Sequence, residues 1–359
     1  MRNYRLHLLV VVTLLLLAAS CTLPVPTNTA DLPTLSEDTA APDPTPVLVE
    51  DKHLYLPALI KPENIAPPAG SETNPELADT PTNPDYPAPG ILPSPTGEEP
   101  TPTPEPDNRL PPEKWQEWPV VPVVSERAKE IYHQGLAMGN SPNAFSKVGD
   151  CQNIRQYFMG IFDVPSSHRL GEKYAYLQPT IDNFPGSFIR TSMAVRTGFN
   201  VASVLASFYS DPEQCQAGET PLECELRIWR PTIVIISMET WDENRPTDAY
   251  EKYLRQIVDI TIEHGAVPIV ATKADNLEGD HSINAAVARV AYDYDIPLWN
   301  FWREVQPLPE HGLMEDGFHL TYDANFYDDP HAMEAGWPHR NLTALQALDA
   351  VWRAVSGKP

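Results

Sequence analysis

Pro231-Thr232-Ile233-Val234-Ile235-Ile236-Ser237 is the stretch that decides the fold, because five successive β-branched residues between a proline and a polar run read as a strong strand. Working outward, Asp248 to His264 has the spacing of a long amphipathic helix, Val267 to Ala271 of a strand, Asn284 to Tyr294 of a helix and Ile296 to Phe301 of another strand. Upstream, Ala144 to Val148 reads as a buried strand and Asn153 to Phe162 as a helix; Leu342 to Ala354, capped by Asn341, closes the chain as a helix. Strands and helices in alternation predict right-handed crossovers and a parallel sheet covered on both faces. The expected fold is α/β, a doubly wound, flavodoxin-like three-layer sandwich beginning near residue 123. Its roughly 235 residues are ample for one core.

In such sheets ligands sit beyond the carboxyl ends of the strands. Gly149-Asp150-Cys151-Gln152 follows the first strand, a tight turn that would set the Cys151 thiol at the sheet's upper edge. Met238-Glu239-Thr240-Trp241-Asp242 follows the strand at 232–237, and Lys273-Ala274-Asp275-Asn276 the strand at 267–271. Beyond the last strand lies Glu315-Asp316-Gly317-Phe318-His319. A thiol near a helix start and a histidine able to take its proton make Cys151 and His319 a candidate nucleophile and base.

The first 21 residues have another purpose. Arg2 and Arg5 precede an apolar run from Leu8 to Ala19 that is short for a bilayer span, and Leu17-Ala18-Ala19-Ser20-Cys21 resembles a bacterial lipobox. That resemblance implies lipidation of Cys21 and an extracytoplasmic protein anchored at the cell membrane or surface. Residues 22–119 hold 24 of the 40 prolines, with 17 acidic and 4 basic residues, so 22–122 reads as a disordered, polyproline-biased tether. The island His53-Leu54-Tyr55-Leu56-Pro57-Ala58-Leu59-Ile60 interrupts it.

Cysteine arithmetic singles out one thiol. With Cys21 assigned to the anchor, Cys215 and Cys224 flank a turn-rich segment suited to a local disulfide outside the cytoplasm, and Cys151 is left over. Such a cysteine is either buried and inert or reactive.

At these positions the chain resembles the SGNH, or GDSL, hydrolases, a family of esterases, lipases and carbohydrate deacetylases. The resemblance spans about 144–322. Asp316-Gly317-Phe318-His319 matches the family's Asp-x-x-His block, which implies that His319 is the base and Asp316 its orienter. Gly149-Asp150 matches the Gly-Asp-Ser block, with Cys151 in the serine's place. Gly198, within Thr197-Gly198-Phe199-Asn200, corresponds to the glycine whose amide binds the oxyanion, with Asn200 beside it. The third block, Gly-x-Asn-Asp, aligns with Glu239-Thr240-Trp241-Asp242, so Trp241 stands where the oxyanion-binding asparagine belongs. A missing oxyanion donor costs about 10²- to 10³-fold in rate. Two readings stay open: an ester hydrolase of acyl or acetyl groups, on envelope polysaccharide for example, and an inactive module that binds a glycan or a partner.

Other chemistry has little support. There is no Gly-x-Ser-x-Gly elbow, P-loop, His-Glu-x-x-His helix or dinucleotide fingerprint. After residue 119 there are 32 acidic and 19 basic residues and no basic run, which argues against nucleic acid. Asp328, Asp329, His331 and His339 lack ligand spacing and read as a solvated lid, so no metal or cofactor is expected. Trp241, Trp299, Trp302 and Trp337 are candidates for stacking on sugar rings, with core packing the plainer expectation for Trp299 and Trp302.

Overall fold

The computed structural model describes residues 109–241 and 245–358. The leader with Cys21, most of the tether, the island at 53–60 and Asp242 lie outside these residues. In chain order the strands are β1 (Ser141–Gly149), β2 (His168–Arg169), β3 (Pro231–Ser237), β4 (Val267–Ala271), β5 (Leu298–Trp299) and β6 (Asn325–Phe326). The helices are α1 (Glu126–Ala137), α2 (Gly171–Tyr174), α3 (Gln178–Asn183), α4 (Pro221–Trp229), α5 (Thr247–Glu263), α6 (Ser282–Tyr294), α7 (Phe301–Val305) and α8 (Gly336–Ser356).

Every residue of β3 is buried, as expected for the middle of a sheet covered on both faces. β1, β3, β4 and β5 pair in that order and all in parallel, with Gly149 opposite Ser237, Ile236 opposite Val270 and Ala271 opposite Trp299. On the outer flank of β1 a single parallel bridge joins Gly149 to Val195. The chain thus leaves β1 on one side and returns on the other, which makes the carboxyl end of β1 the topological switch point of the sheet. α4 packs on β1 and α5, and α5 on α6; α1 packs on α8 in the opposite layer. The doubly wound α/β sandwich expected from the alternation is the fold observed. β2 and β6 form a small parallel pair apart from it.

Local chemistry sets the element ends. Ser125 caps α1 by accepting from the Ala128 amide, and Thr220 with Glu223 forms a capping box on α4, with Pro221 at its first position. Cys215 and Cys224 form a disulfide that ties the preceding loop to α4.

Four expectations are corrected. Residues 153–162 form turns and a short 3₁₀ segment instead of a helix. Met159 takes the left-handed conformation, and a side chain at Gly160 would collide with the Arg155 carbonyl, 2.0 Å from its Cβ. Asn341 does not cap the last helix: it lies inside α8, and its side chain accepts from the Met159 amide and donates to Tyr157 O. The strand at 296–301 shrinks to β5, because Asn300 caps α7 by accepting from the Arg303 amide. Finally, packed structure begins well before residue 123. Trp115 is buried against Trp302 and His281, and Asn300 Nδ2 donates to the carbonyls of Trp115 (2.8 Å) and Trp118 (3.1 Å).

Candidate active site

β1 ends at a glycine because its neighbour leaves no room for a side chain. A Cβ on Gly149 would lie 2.0 Å from Asn153 Nδ2, which donates to Ser237 O at 2.7 Å and ties the turn to the end of β3. Next comes Asp150, fully buried. One carboxylate oxygen accepts from the amide of Gln152 (3.0 Å) and from Asn153 Nδ2 (3.5 Å); the other accepts from the amides of Glu239 and Thr240, both at 2.7 Å. Asp150 therefore locks the turn after β1 to the turn after β3. Cys151 opens a one-turn 3₁₀ segment, Cys151–Asn153, at the switch point; it is not disulfide-bonded and is 8 % exposed.

The second element comes from the loop after α7. Asp316 Oδ1 accepts from the amides of Phe318 (3.0 Å) and His319 (2.9 Å), and Oδ2 receives His319 Nδ1 at 2.6 Å. The three-residue spacing lets one carboxylate fold the turn and orient the ring. Burial works to raise the Asp316 pKa, but the His319 ring and the two amides outweigh it and hold the carboxyl below its ordinary value. An ionised Asp316 is acceptor-only, so Nδ1 carries the imidazole proton and the Nε2 lone pair is left for proton transfer. His319 itself is buried, and the Met314 amide donates to its carbonyl at 2.7 Å.

The two elements meet. Gln152 Nε2 donates to Phe318 O at 3.1 Å, a hydrogen bond spanning 166 residues whose ends each adjoin one member of the candidate pair. Gly198 is exposed, with φ of +81°, and follows the Val195 bridge by three residues, which puts it at the same end of β1 as Cys151. Asn200 spends its side-chain oxygen on the amides of Ala202 (2.9 Å) and Ser203 (3.1 Å), so that oxygen builds the turn after Gly198.

Trp241 turns its indole inward. It packs edge-on against the buried Tyr250, and its Nε1 is buried without a hydrogen-bond partner among the described residues. Trp299 and Trp337 are buried as well, and so are unavailable for stacking on a sugar. Lys273 and Asp275 form a buried pair at 2.5 Å, with Glu278 also on the lysine at 2.6 Å, while Asn276 accepts from the His281 amide. Asp328 is paired with Arg169, and His339 lies between Glu304 and the Met333 carbonyl, so these residues serve separate contacts. A cavity of about 780 Å³ lies between Leu110, Trp118, Tyr292 and Leu298 on the outer flank of β5 and is lined by none of the candidate residues.

A buried ion pair that sequence reasoning missed supports the floor of the site. Arg340, from α8, contacts Glu239 at 2.5 Å and donates to Ser237 Oγ at 2.9 Å. Its guanidinium lies over the rings of Phe158, Trp299 and Phe301 at 4.9 to 5.5 Å. Burial pushes the Glu239 carboxyl up to about 7 against the pull of Arg340, with the nearby Asp150 and Asp275 raising it further. The available signal was slight: Arg340 stands between Trp337 and Leu342 at the start of the closing helix.

No family model matches the chain, and no curated protein matches it by sequence. Among solved structures, it is similar to a G-D-S-L family protein from Desulfitobacterium hafniense described as lipolytic, at 11 % identity and a TM-score of 0.37, covering 57 % of this chain and 99 % of the other. A GDSL-like lipase from Bacteroides thetaiotaomicron is 15 % identical, with a TM-score of 0.35 over 62 % of this chain and 97 % of its own. A single-site variant of an acetyl-xylooligosaccharide esterase from Geobacillus is 16 % identical, with a TM-score of 0.36 over 58 % and 95 %.

Proposed function

We propose that this chain is an ester hydrolase of the SGNH type in which a thiol replaces the serine hydroxyl, held at a bacterial envelope by a lipid on Cys21. The observation that carries the reading is the Gln152 to Phe318 hydrogen bond, which joins the Cys151 turn to an Asp316–His319 dyad already in the geometry of an oriented base. In this reading His319 Nε2 takes the Cys151 proton, and the thiolate attacks the acyl carbon. The amides of Cys151 and Gly198 hold the oxyanion. The leaving alkoxide takes the proton back from His319, and water activated by the same imidazole cleaves the thioester to acid and thiol. With two oxyanion donors instead of three, turnover falls below that of a complete site by about 10²- to 10³-fold. Acetyl or other short acyl esters on an envelope polysaccharide are the substrate class we favour.

The test is an aryl ester and thioester panel on the purified chain. Hydrolysis is expected, and Cys151→Ala should abolish it; equal rates in both proteins rule out this nucleophile. Incorporation of labelled fatty acid that disappears in Cys21→Ser checks the anchor. The partly buried Trp241, whose Nε1 is turned inward where the resemblance calls for an oxyanion donor, favours one second reading, a hydrolase-like cleft that binds a glycan without turnover. It predicts silence across the ester panel together with binding in calorimetry.

A further inference from the structure

The outer flank of β1 is covered by a strap, residues 186–196, that occupies the place of a neighbouring strand yet joins the sheet at one bridge only. Side chains do the remaining tying. Asp163 accepts from the amides of Gly186 (2.9 Å) and Ile189 (2.8 Å), Lys147 Nζ donates to Phe188 O (2.5 Å), and Ser192 Oγ donates to Lys147 O (2.7 Å).

The tie on the Gly198 side of the strap is Glu225, on α4 and fully buried. Its Oε1 accepts from Ser146 Oγ (2.6 Å) and Arg190 (3.0 Å), and its Oε2 accepts from the Met193 amide (2.8 Å). Ser146 is five residues before Cys151 on β1. After Met193 the strap immediately engages the end of that strand: Ala194 O receives the Gly149 amide at 3.0 Å, and the Arg196 amide donates to Gly149 O at 3.4 Å. Gly198 follows two residues later. The disulfide partner Cys224 adjoins Glu225, so the helix that presents the carboxylate is itself fastened to the loop downstream of Gly198.

Burying a carboxylate in this way is expensive, and a backbone ladder would hold an ordinary strand without it. What the carboxylate supplies is one fixed point shared by β1 and the strap. We infer that Glu225 is a positioning residue for the oxyanion-binding turn at Gly198: it clamps Arg190 and Met193 to β1 and so sets where the Gly198 amide stands relative to the Cys151 sulfur. The inference rests on the acyl-transfer reading of the site. Glu225 touches neither substrate nor reacting atoms; it acts through the strap.

The test separates positioning from general support by comparing two reactions of the same thiol. Alkylation of Cys151 by iodoacetamide needs no oxyanion donor, whereas ester hydrolysis does. In Glu225→Gln a single carbonyl oxygen cannot serve both Arg190 and Met193. The kcat on an aryl ester is expected to fall on the order of 10²-fold, with KM and the alkylation rate unchanged. If the glutamine variant does not fold, Glu225→Asp, which keeps the charge but shortens the reach, and Arg190→Lys carry the same comparison with a smaller fall in kcat. A folded variant with wild-type kcat overturns the inference, as does an alkylation rate that falls in step with kcat. A wild-type chain silent on every ester removes the underlying reading and this inference with it, and that outcome is recognised before any variant is made.

Discussion

Replacing Asp150 by asparagine tests whether the turn after β1 is held as described. The carboxylate accepts four hydrogen bonds, two of them at 2.7 Å from the Glu239 and Thr240 amides. An asparagine has one acceptor oxygen. Turned toward the two short contacts, it presents its own NH₂ to the Gln152 amide and Asn153 Nδ2, so two charge-assisted bonds become clashes of donors and the two that remain weaken. Bonds to a charged acceptor contribute about 1.5 to 3 kcal/mol each, and neutral ones about half of that. After allowing for the relief of a buried charge, the net loss is about 3 kcal/mol, a substantial share of the roughly 5 to 15 kcal/mol that a domain possesses. In urea, with a slope of about 3 kcal/mol/M for a domain of this size, the midpoint should drop by about 1 M with an unchanged slope. Cys151 should also alkylate faster, because its turn is no longer pinned. A midpoint shift below about 0.3 M would show that the four hydrogen bonds do not hold the turn, and the account of the site's floor would fail with them.

Two buried groups give opposite pH slopes. Glu239, raised from 4.5 to about 7, keeps its proton in the folded chain after the unfolded chain has lost it; stability should therefore fall as pH rises from about 4.5 to 7, and Glu239→Gln should flatten that limb in urea titrations. Lys147 is lowered from 10.5 to about 7, first by burial and then by the nearby Arg190, so stability should rise between about pH 7 and 10.5, and Lys147→Met should remove that rise. Asp316→Asn should cut kcat for ester hydrolysis by on the order of 10³- to 10⁴-fold with KM little changed, since Nδ1 loses the acceptor that fixes its tautomer; steady-state kinetics on an aryl ester read this directly. Replacing Cys215 and Cys224 together by serine should cost about 2 to 3 kcal/mol, seen as a melting temperature lower by roughly 5 to 10 °C.

What the sequence disclosed follows from how local each signal is. β3 and β4 were legible because residues buried on both faces leave a continuous apolar run, and α5 because one face is periodic. Asp316 and His319 were legible for a related reason: their contact is made within a single turn. Residues 153–162 misled because their conformation is imposed by Asn341, 182 positions from Met159 in the chain, which no window on the segment contains. The strap behind Gly198 has no period of its own and is shaped by Lys147, Asp163 and Glu225, so its fold is written in other segments. Arg340 carries no local sign of its burial, since the rings that wrap it come from Phe158, Trp299 and Phe301 in other segments.

Residues 109–122 resemble the tether in composition, yet they are sewn to the sheet. Asn300, just past the carboxyl end of β5, grips the carbonyls of Trp115 and Trp118, its own amide donates to Val120 O, and Arg303 also reaches the Trp118 carbonyl. A pull arriving from the amino-terminal side is thus borne by the Arg109–Asp295 pair and then by this clasp, on the rim of the sheet that also carries Cys151, and only afterwards by the strands. Trimming the chain to residue 123 would strip the clasp away, baring the Trp302 ring and stranding the Asn300 amide.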